Sequence, residues 1–469
     1  MQNIIFTPTK YVPRLKHTHH QQKFLQLREE YPFFEYQSYT FTEEADGFRI
    51  YFNFNLANKF SFSPETFIPK KSFIQLPENE SHLQWLVFHI GLVELISYWK
   101  ASCSPLVIIR CFQLDDLQIA WWKKLYFNGL GEFFYTNNIQ TSQEDFMDLR
   151  CDSSKKGTAV KAELNPVTIV PVGGGKDSAV TIELLKQAGV NVLPFIVNPR
   201  KASLDTVKAA GIAEEQTIIF QRTIDPQLLR LNQSGFLNGH TPFSALLAFQ
   251  SALAALLTGA ADLALSNESS ASESTVHGEN INHQYSKSIE FEQDFRWYTE
   301  TYLFKSLNYF SFLRPLSELQ IAWLFSRFDH YHQVFKSCNV GSKTDSWCCA
   351  CPKCLFTYLI LSPFLPSDRM VKIFGKDLLQ EPVLSPVLNE LQGKTAAKPF
   401  ECVGTVDEVN FSVSLLSSRY SPDNLPLLLK HATVTTKSAA SLQNALTTLN
   451  NQHNLDDLYL GIILNAIRN

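Results

Sequence analysis

The sequence of 469 residues has no surplus of basic side chains. Lysine and arginine number 41, against 45 aspartate and glutamate residues, and the formal net charge is −4. Proteins that bind nucleic acid through its phosphate backbone normally carry a positive surplus. The sequence therefore gives no support for a general nucleic-acid binder, although a local basic patch stays compatible with it.

Long hydrophobic runs without charge are also lacking. Residues 83–99 are apolar but include His89 and Glu94. Residues 241–261 carry no formal charge, but polar residues interrupt them and Gly259 ends the apolar run. A membrane-spanning helix needs about 20 consecutive, mostly apolar residues. We therefore expect two buried helices, the second leading into a strand, and no membrane partner.

The sequence also lacks the features of an exported, disulfide-bonded protein. Residues 1–6 show no basic region followed by an apolar run, so no signal peptide is expected. The nine cysteines are odd in number, and five of them lie within residues 338–354. Disulfide frameworks are usually even-numbered and spread along a short secreted chain. The clustering instead predicts a metal site in a reducing compartment, and we expect the protein in the cytoplasm.

The cysteine cluster has the spacing of a tetrahedral metal site. Its order is C-x9-C-x2-C-x2-C over Cys338, Cys348, Cys351 and Cys354, with Cys349 expected to point away. Short gaps let a turn aim successive thiolates at one ion, and four thiolates close the shell of Zn²⁺. We expect a structural zinc ion. An iron–sulfur cluster and buried free cysteines are the alternatives.

Composition divides the chain into three units. Residues 1–151 form an α+β unit, in which residues 36–41 and 48–54 flank the turn signal Asp46-Gly47 and predict a β-hairpin. The polar residues 152–157 are the linker candidate. Residues 158–370 form the second unit, and residues 371–469 form an extension expected to pack on it.

Strand and helix patterns alternate in the second unit. Residues 167–172 and 190–197 read as strands with a helix between them, and residues 243–257 read as a helix before a strand at 263–266. Such alternation predicts an α/β fold with a parallel, doubly wound sheet.

A glycine-rich loop follows the first of these strands and opens the helix. It consists of Gly173, Gly174, Gly175, Lys176, Asp177 and Ser178. Glycine lets the backbone approach an anion, which the N-terminus of a helix attracts. Walker and dinucleotide loops do not fit, because Val170 and Ser178 stand where these motifs need glycine. The loop resembles the S-G-G-x-D-S pyrophosphatase loop of ATP-splitting synthetases, with Gly173 replacing the first serine, so we predict phosphate binding; a glycine-rich turn without a ligand is the alternative.

Polar segments beyond the last strand are candidates for the remainder of the site. In open α/β sheets ligands bind at the carboxyl ends of the strands. His283, Glu268 and Tyr285 are candidates for moving a proton, and Lys287 is a fourth catalytic candidate that also suits an anionic substrate. The residues expected to bind substrate are Asn267, Asn282, Arg314 and His240. Taken singly, each residue also fits a solvated loop or a helix cap.

Four motifs in one order carry a family resemblance. They are residues 173–178, 282–288, 347–354 and 398–405, and residues 97–100 and 239–242 are similar as well. Together they resemble the UDP-N-acetylmuramoyl-L-alanyl-L-glutamate epimerases of bacterial cell-wall synthesis (MurL type).

The resemblance implies an ATP-dependent isomerase with a small-molecule substrate. ATP would convert the α-carboxylate of the terminal L-Glu of UDP-N-acetylmuramoyl-L-Ala-L-Glu to an acyl-adenylate. Inversion would then yield the D-Glu peptide, AMP and pyrophosphate. The resemblance also implies a PP-loop (adenine nucleotide α-hydrolase-like) sheet, Mg²⁺ with the ATP, and structural Zn²⁺ at the four cysteines.

Other functions share parts of this pattern. A deazaguanine nitrile (7-cyano-7-deazaguanine) synthase has a similar loop and four cysteines and adenylates a carboxylate, but such enzymes are much shorter. A sulfur-transferring tRNA enzyme fits the net charge less well. A zinc-ribbon adaptor without catalysis would need no phosphate loop.

Overall fold

The computed structural model describes residues 17–276, 281–432, 434 and 439–468. Residues 1–6, on which the expectation of no signal peptide rests, lie outside this part of the chain. Within it, an 11-stranded sheet forms the centre of the fold. Its strands are β1 (Phe33–Glu43), β2 (Gly47–Leu56), β3 (Phe60–Phe62), β4 (Glu65–Pro69), β5 (Leu106–Ile109), β6 (Asp148–Cys151), β7 (Asn165–Pro171), β8 (Val192–Val197), β9 (Ile218–Thr223), β10 (Ala260–Leu265) and β11 (Asn308–Ser311).

The helices lie before, between and after these strands. Within the described residues they are α1 (His17–Glu30), α2 (Glu80–Trp99), α3 (Asp116–Gly129), α4 (Gly131–Thr136), α5 (Lys176–Gln187), α6 (Lys201–Ala209), α7 (Pro226–Gln233), α8 (Phe243–Thr258), α9 (Ile289–Tyr298), α10 (Glu318–Ser326), α11 (Pro352–Leu361), α12 (Ser367–Phe374), α13 (Ser385–Leu391), α14 (Val406–Ser417), α15 (Leu427–Lys430), α16 (Ala439–Thr447) and α17 (Asp457–Arg468).

The two long apolar stretches are buried helices, as predicted. They correspond to α2 and α8, and most side chains of both helices are buried. Gly259 ends α8 in the left-handed conformation, with φ of 69°, and β10 follows directly. Among the helices of the described residues, none is long and apolar enough to cross a membrane.

The predicted hairpin is confirmed in the first half of the sheet. β1 pairs antiparallel with β2, which also pairs antiparallel with β3 and β4. Phe48, Ile50, Phe52 and Phe54 are all buried, so their alternation marks the face of β2 that packs on the core. β5 runs parallel to both β1 and β6.

The second half of the sheet is wholly parallel, in the order β11-β10-β7-β8-β9. This arrangement confirms the predicted α/β class in its coarse form: a mixed α/β fold around a large, mostly parallel sheet. The strand order reverses between β7 and β10, and in such sheets ligands bind at the carboxyl ends of the strands beside the reversal. β7 ends at Pro171 and β10 at Leu265. The glycine loop and the segment around Glu268 therefore start side by side.

The two halves form one continuous sheet, which the sequence does not predict. β4 pairs antiparallel with β9 through residues 65–67 and 221–223. Next to this junction, Arg222 donates hydrogen bonds of 2.8 and 2.7 Å to the carboxylate of Glu94 in α2. The side chain of Glu94 is 2% exposed and that of Arg222 12%, so this paired contact is largely shielded from water. The predicted unit boundaries at residues 151, 158 and 370 stay a prediction.

Two apolar cores pack against the sheet. One is formed mainly by β1, β2, α2, α3 and α8, and the other by α5, α10, α11 and the C-terminal helices. In the second core, the hydroxyl of Tyr459 in α17 lies 2.8 Å from Oγ1 of Thr168 in β7. This contact joins the C-terminal region to the strand that carries the glycine loop.

Candidate active site

The glycine loop has an open side and a packed side. A Cβ at Gly173 would meet nothing within 4 Å, whereas Gly174 has φ of +84° and lies against the backbone of Ala202 and Ser203. The left-handed φ and the close packing therefore explain the glycine at position 174 without a ligand. Gly175 is the N-cap of α5, and no side chain caps this helix end. The first N–H groups of α5 are thus free of a side-chain cap at the position where an anion would bind.

Lys176 is buried between two carboxylates. Its Nζ donates hydrogen bonds to Asp177 and to Glu318 at the start of α10, and the side chain of Lys176 is 4% exposed. Burial by itself would lower the pKa of Lys176, but the charges of Asp177 and Glu318 outweigh it and raise that pKa. The hydroxyl of Ser178 donates to the carbonyl of Gly175 at 3.2 Å. The positive charge of Lys176 is therefore balanced by two carboxylates of the protein itself.

Two basic residues that no sequence motif singled out contact the loop, Arg200 through its side chain and Lys336 through its backbone. Nη2 of Arg200 donates to the carbonyl of Gly173 at 2.8 Å. The backbone N–H of Lys336 donates to the carbonyl of Gly174, also at 2.8 Å, and burial lowers the pKa of its side chain. Arg200 is the N-cap of α6, just beyond β8, and this place after a parallel strand is the sequence signal that could have identified it.

Glu268 and Asn267 follow β10 on the other side of the strand-order reversal. The side chain of Glu268 is buried, and Oγ of Ser270 donates to its Oε1 at 3.3 Å. Nδ2 of Asn267 donates to the hydroxyl of Ser311 at 3.0 Å. The amide of Asn267 therefore links the ends of β10 and β11.

Arg314 joins the Glu268 segment to the Lys287 segment. Arg314 is 1% exposed. Its Nη1 donates to the carbonyl of Glu268 at 2.5 Å, and its Nη2 donates to the carbonyl of Lys287. Nη2 also lies 3.5 Å from Oε2 of Glu292. In the structure Arg314 thus positions two backbone segments, and its predicted contact with substrate stays a prediction.

The predicted residues of the 282–288 segment do not all meet. Nδ2 of Asn282 donates to the carbonyl of Ala271 at 2.9 Å and so fixes the segment to the turn after Glu268. The hydroxyl of Tyr285 lies 3.4 Å from Oδ2 of Asp294 in α9, and burial raises the pKa of Tyr285. Tyr285 is therefore engaged with α9 rather than with the other proton-transfer candidates.

His283 and Lys287 meet at the sulfur of Cys402. Nζ of Lys287 lies 3.2 Å from Sγ of Cys402, and His283 lies near enough to the same thiol to lower its pKa. Nδ1 of His283 lies 2.6 Å from Oε2 of Glu132 in α4. His240 stands beside this pair, with its Nδ1 3.4 Å from the same oxygen. We call these five residues the thiol cluster.

The charges of the thiol cluster shift its pKa values in opposite directions. Burial would raise the pKa of Cys402, but Lys287 and His283 outweigh it and lower that pKa to about 6. Burial would lower the pKa of His283, but Cys402 and Glu132 raise it to about 9. The pKa of Lys287 is also raised, mainly by Cys402 and Glu268 against the effect of burial. Burial and the neighbouring His283 lower the pKa of His240 to about 4.

The thiol cluster lies close to the glycine loop. The charge of Asp177 contributes to the raised pKa of Lys287. In addition, the carboxylate of Glu408 accepts the backbone N–H of Glu318 at 2.6 Å and that of Thr405 at 2.8 Å. Glu318 binds Lys176 of the loop, and Thr405 follows Cys402 by three positions. Glu408 therefore links the helix that holds the partner of Lys176 to the segment that follows Cys402.

The four predicted metal ligands converge. Sulfur–sulfur distances are 3.9 Å for Cys338 and Cys351, 3.8 Å for Cys348 and Cys354, and 3.5 Å for Cys351 and Cys354. Tetrahedral Zn²⁺ with bonds of about 2.3 Å places thiolates about 3.8 Å apart, so the donor set fits this ion. Sγ of Cys349 instead donates to the carbonyl of Phe374 at 3.2 Å.

Within the thiol cluster, Cys402 and Glu132 are the residues that the sequence did not assign. Cys402 belongs to the 398–405 motif but stands apart from the four-cysteine spacing, and a cysteine left over from a metal motif is the signal that could have identified it. Glu132 has no local signal. Nζ of Lys100 donates to the carbonyl of Gly239, so the similar stretches at 97–100 and 239–242 meet beside this cluster.

Comparison with known proteins assigns the chain to a family. Residues 26–312 match the MurL N-terminal domain, and residues 334–446 match the MurL C-terminal domain. Three relatives carry the name UDP-N-acetyl-alpha-D-muramoyl-L-alanyl-L-glutamate epimerase. They come from Micromonospora sp. (37% identity over 70% of this chain and 74% of the relative), Xanthomonas oryzae pv. oryzae (34% over 75% and 79%) and Salinispora tropica (36% over 71% and 73%).

No solved structure matches the chain. The two domain matches and the three relatives agree with the resemblance carried by the four motifs. The two matched regions contain the glycine loop, the cysteine cluster and the thiol cluster. The chain belongs to the MurL family.

Proposed function

We propose that this protein is an ATP-dependent epimerase that inverts the terminal L-Glu of UDP-N-acetylmuramoyl-L-Ala-L-Glu in peptidoglycan biosynthesis. The observation that carries the proposal is that, in a chain of this family, the glycine loop and the thiol cluster lie near each other, joined by contacts through Glu408. The glycine loop suits phosphate binding and the thiol cluster suits proton transfer, and the epimerisation requires both. The substrate is thus a small nucleotide-linked peptide, and the proposed location is the cytoplasm.

The glycine loop is the proposed site for ATP, in a sheet of the PP-loop type. The open space at Gly173 and the uncapped N-terminus of α5 support a place for the β and γ phosphates. Arg200 beside Gly173 would add a positive charge. Asp177 would hold the Mg²⁺ that accompanies ATP, because hard cations prefer carboxylate oxygens.

Adenylation makes the inversion chemically possible. The α-proton of a free carboxylate is barely acidic, because its removal would place a second negative charge beside the first. Esterification with AMP removes the first charge and lets the carbonyl accept the electron pair. A positioned base can then take the proton, and an acid can return one on the other face.

His283 and Lys287 are the sequence-predicted residues best placed for this chemistry. Both belong to the thiol cluster, and the charge of the nearby Glu268 helps to raise the pKa of Lys287. The raised pKa values of His283 and Lys287 favour their protonated forms at neutral pH, so they suit stabilisation of the enolate oxygen. Asn267, Asn282 and His240 border the same region and remain the proposed substrate contacts.

The four converging cysteines are proposed to hold structural Zn²⁺. All four donors are thiolates, so the coordination shell leaves no open position for a reacting molecule. The ion would join the loop that carries Cys338, Cys348 and Cys351 to Cys354 in the first turn of α11. Lys353 in the same turn donates its backbone N–H to Glu401, the residue before Cys402. A zinc site here would therefore support the position of the thiol cluster.

Substrate-dependent exchange of labelled pyrophosphate into ATP tests the proposal. With Mg²⁺ and UDP-N-acetylmuramoyl-L-Ala-L-Glu, the protein should exchange label, and without the peptide it should not. Exchange with a deazaguanine carboxylate instead would support the nitrile synthase. Complete absence of exchange with both would contradict an adenylating enzyme and favour an adaptor.

A further inference from the structure

The thiol of Cys402 is surrounded by groups that stabilise its charge. The ammonium of Lys287 lies 3.2 Å from its sulfur, and the nearby His283 also lowers the pKa of the thiol. Lys353 on α11 adds a further positive charge, and Glu401 is the neighbouring carboxylate. Cys111 differs: its Sγ donates to the backbone carbonyl of Tyr36, and burial raises its pKa to about 12 against the opposing effect of Lys155.

Cys402, His283 and Glu132 have the arrangement of a catalytic triad. The carboxylate of Glu132 contacts Nδ1 of His283 at 2.6 Å and so fixes the ring, and the imidazole and the thiol shift each other's pKa in opposite directions. A reactive group, a histidine and a third residue that orients the histidine form the general pattern of an activated nucleophile or base. Glu132 in α4 and His283 before α9 lie in the region matched by the MurL N-terminal domain, whereas Cys402 lies in the region matched by the C-terminal domain.

The protonation states decide which member can accept a proton. Cys402 has the lowered pKa of the three contacting groups, whereas His283 and Lys287 have raised pKa values. Near neutral pH Cys402 is therefore a thiolate, whereas His283 and Lys287 stay protonated.

We propose that Cys402 is the catalytic base that removes the α-proton of the adenylated glutamyl residue on one face. In this step the Cα–H bond breaks and an S–H bond forms, while the electron pair of the C–H bond moves to the carbonyl oxygen of the acyl-adenylate. In the reverse direction the thiol returns the same proton to Cα. The protons of Lys287 and His283 stay in place. The proposal rests on the proposed function, because only an adenylated carboxylate yields such an acidic proton.

Replacing Cys402 with serine and with alanine separates adenylation from inversion. Both variants should keep substrate-dependent pyrophosphate exchange within about threefold of the unmodified protein, because the glycine loop is unchanged. Formation of D-Glu and incorporation of deuterium from the solvent at Cα should fall at least about 100-fold, the usual contribution of a general base. Cys111→Ser is the matched control, because Cys111 is a partly buried cysteine outside the thiol cluster. This variant should keep both activities.

Two direct measurements complement the kinetics. Iodoacetamide should alkylate Cys402 with a pH midpoint near 6, and ATP with the muramyl dipeptide should protect it, as read by peptide mass spectrometry. A midpoint near that of an ordinary thiol, or no protection, would contradict the proposal. A quenched reaction that shows the substrate acyl group attached to Cys402 would overturn the base in favour of a thioester nucleophile.

The outcomes distinguish this proposal from the proposed function. If the unmodified protein exchanges pyrophosphate and inverts glutamate while Cys402→Ser inverts it at a similar rate, the proposal for Cys402 fails and the epimerase remains. If the unmodified protein shows no exchange, the epimerase fails, and the proposal for Cys402 fails with it.

Discussion

Nδ1 of His283 lies 2.6 Å from Oε2 of Glu132, although 151 positions separate the two residues in the chain. The contact joins α4 of the N-terminal unit to the polar segment beyond β10. The carboxylate of Glu132 orients the ring of His283 and, together with Cys402, raises the pKa of His283. The N-terminal unit is therefore part of the active site in this account.

Replacing Glu132 with glutamine should slow epimerisation by at least about tenfold, while pyrophosphate exchange continues. The amide keeps the shape of the side chain but removes the negative charge that helps to raise the pKa of His283. The alkaline limb of kcat/KM should therefore move to lower pH. Glu144→Gln, on an exposed residue of the same unit, is the control and should leave the profile unchanged; an unshifted limb in Glu132→Gln would contradict the assigned role.

The unmodified protein should show a bell-shaped pH profile of kcat/KM for epimerisation. Activity should rise as the pH passes about 6, where Cys402 loses its proton under the influence of Lys287, His283 and Lys353. It should fall above about 9, where His283 loses its own proton. The acidic limb should be absent from the pyrophosphate exchange, which needs no thiolate. A shared acidic limb in both reactions would assign it to another group.

Asp177→Asn should lower the formation of AMP about 100-fold or more while the protein stays folded. The change removes a carboxylate proposed to hold Mg²⁺ and one of the two partners of Lys176. Asp368→Asn is the matched control, because Asp368 is also an acidic residue in the first turn of a helix, α12. Normal AMP formation by Asp177→Asn would remove the glycine loop from the nucleotide site.

Cys351→Ser should lower the free energy of unfolding by about 4 kcal/mol or more, because loss of a structural metal site belongs to the largest class of single-residue effects. Purified protein should contain one zinc ion per chain by elemental analysis, and the variant should have lost it. Cys349→Ala is the control, since the sulfur of Cys349 faces Phe374. Equal zinc content and equal stability in both variants would contradict the four-cysteine site.

Glu94→Gln should destabilise the fold on the order of 3 kcal/mol, because it leaves the guanidinium of Arg222 without its carboxylate at the junction between the halves of the sheet. Glu43→Gln removes an exposed partner of Lys70 and should cost at most about 1 kcal/mol. Denaturant titration compares the two variants. Equal losses would show that the junction is not especially sensitive to this pair.

Local spacing was sufficient to predict several elements of the structure. Alternating side chains predicted the β1–β2 hairpin, and the apolar stretch ended by Gly259 predicted α8 and β10. The gaps between Cys338 and Cys354 likewise predicted four sulfur atoms that converge. In each case the residues that meet are close in the sequence, so a periodicity or a turn signal reports their contact.

Contacts between distant residues left no such signal. The pairing of β4 with β9 is set by two strand edges and by Arg222 opposite Glu94, 128 positions apart. The partner of Lys176 in α10 and the partner of His283 in α4 are equally remote. The charges of these partners, rather than the residue types of Lys176 and His283, determine their protonation states, so the sequence identified candidates but could not rank them.

The most direct test of the central claim is the reaction itself, with ATP, Mg²⁺ and UDP-N-acetylmuramoyl-L-Ala-L-Glu. Chromatography of the nucleotides and chiral analysis of the hydrolysed peptide should show AMP, pyrophosphate and D-glutamate forming together. Release of ADP, or consumption of ATP that leaves only L-glutamate, would contradict activation by adenylation followed by inversion.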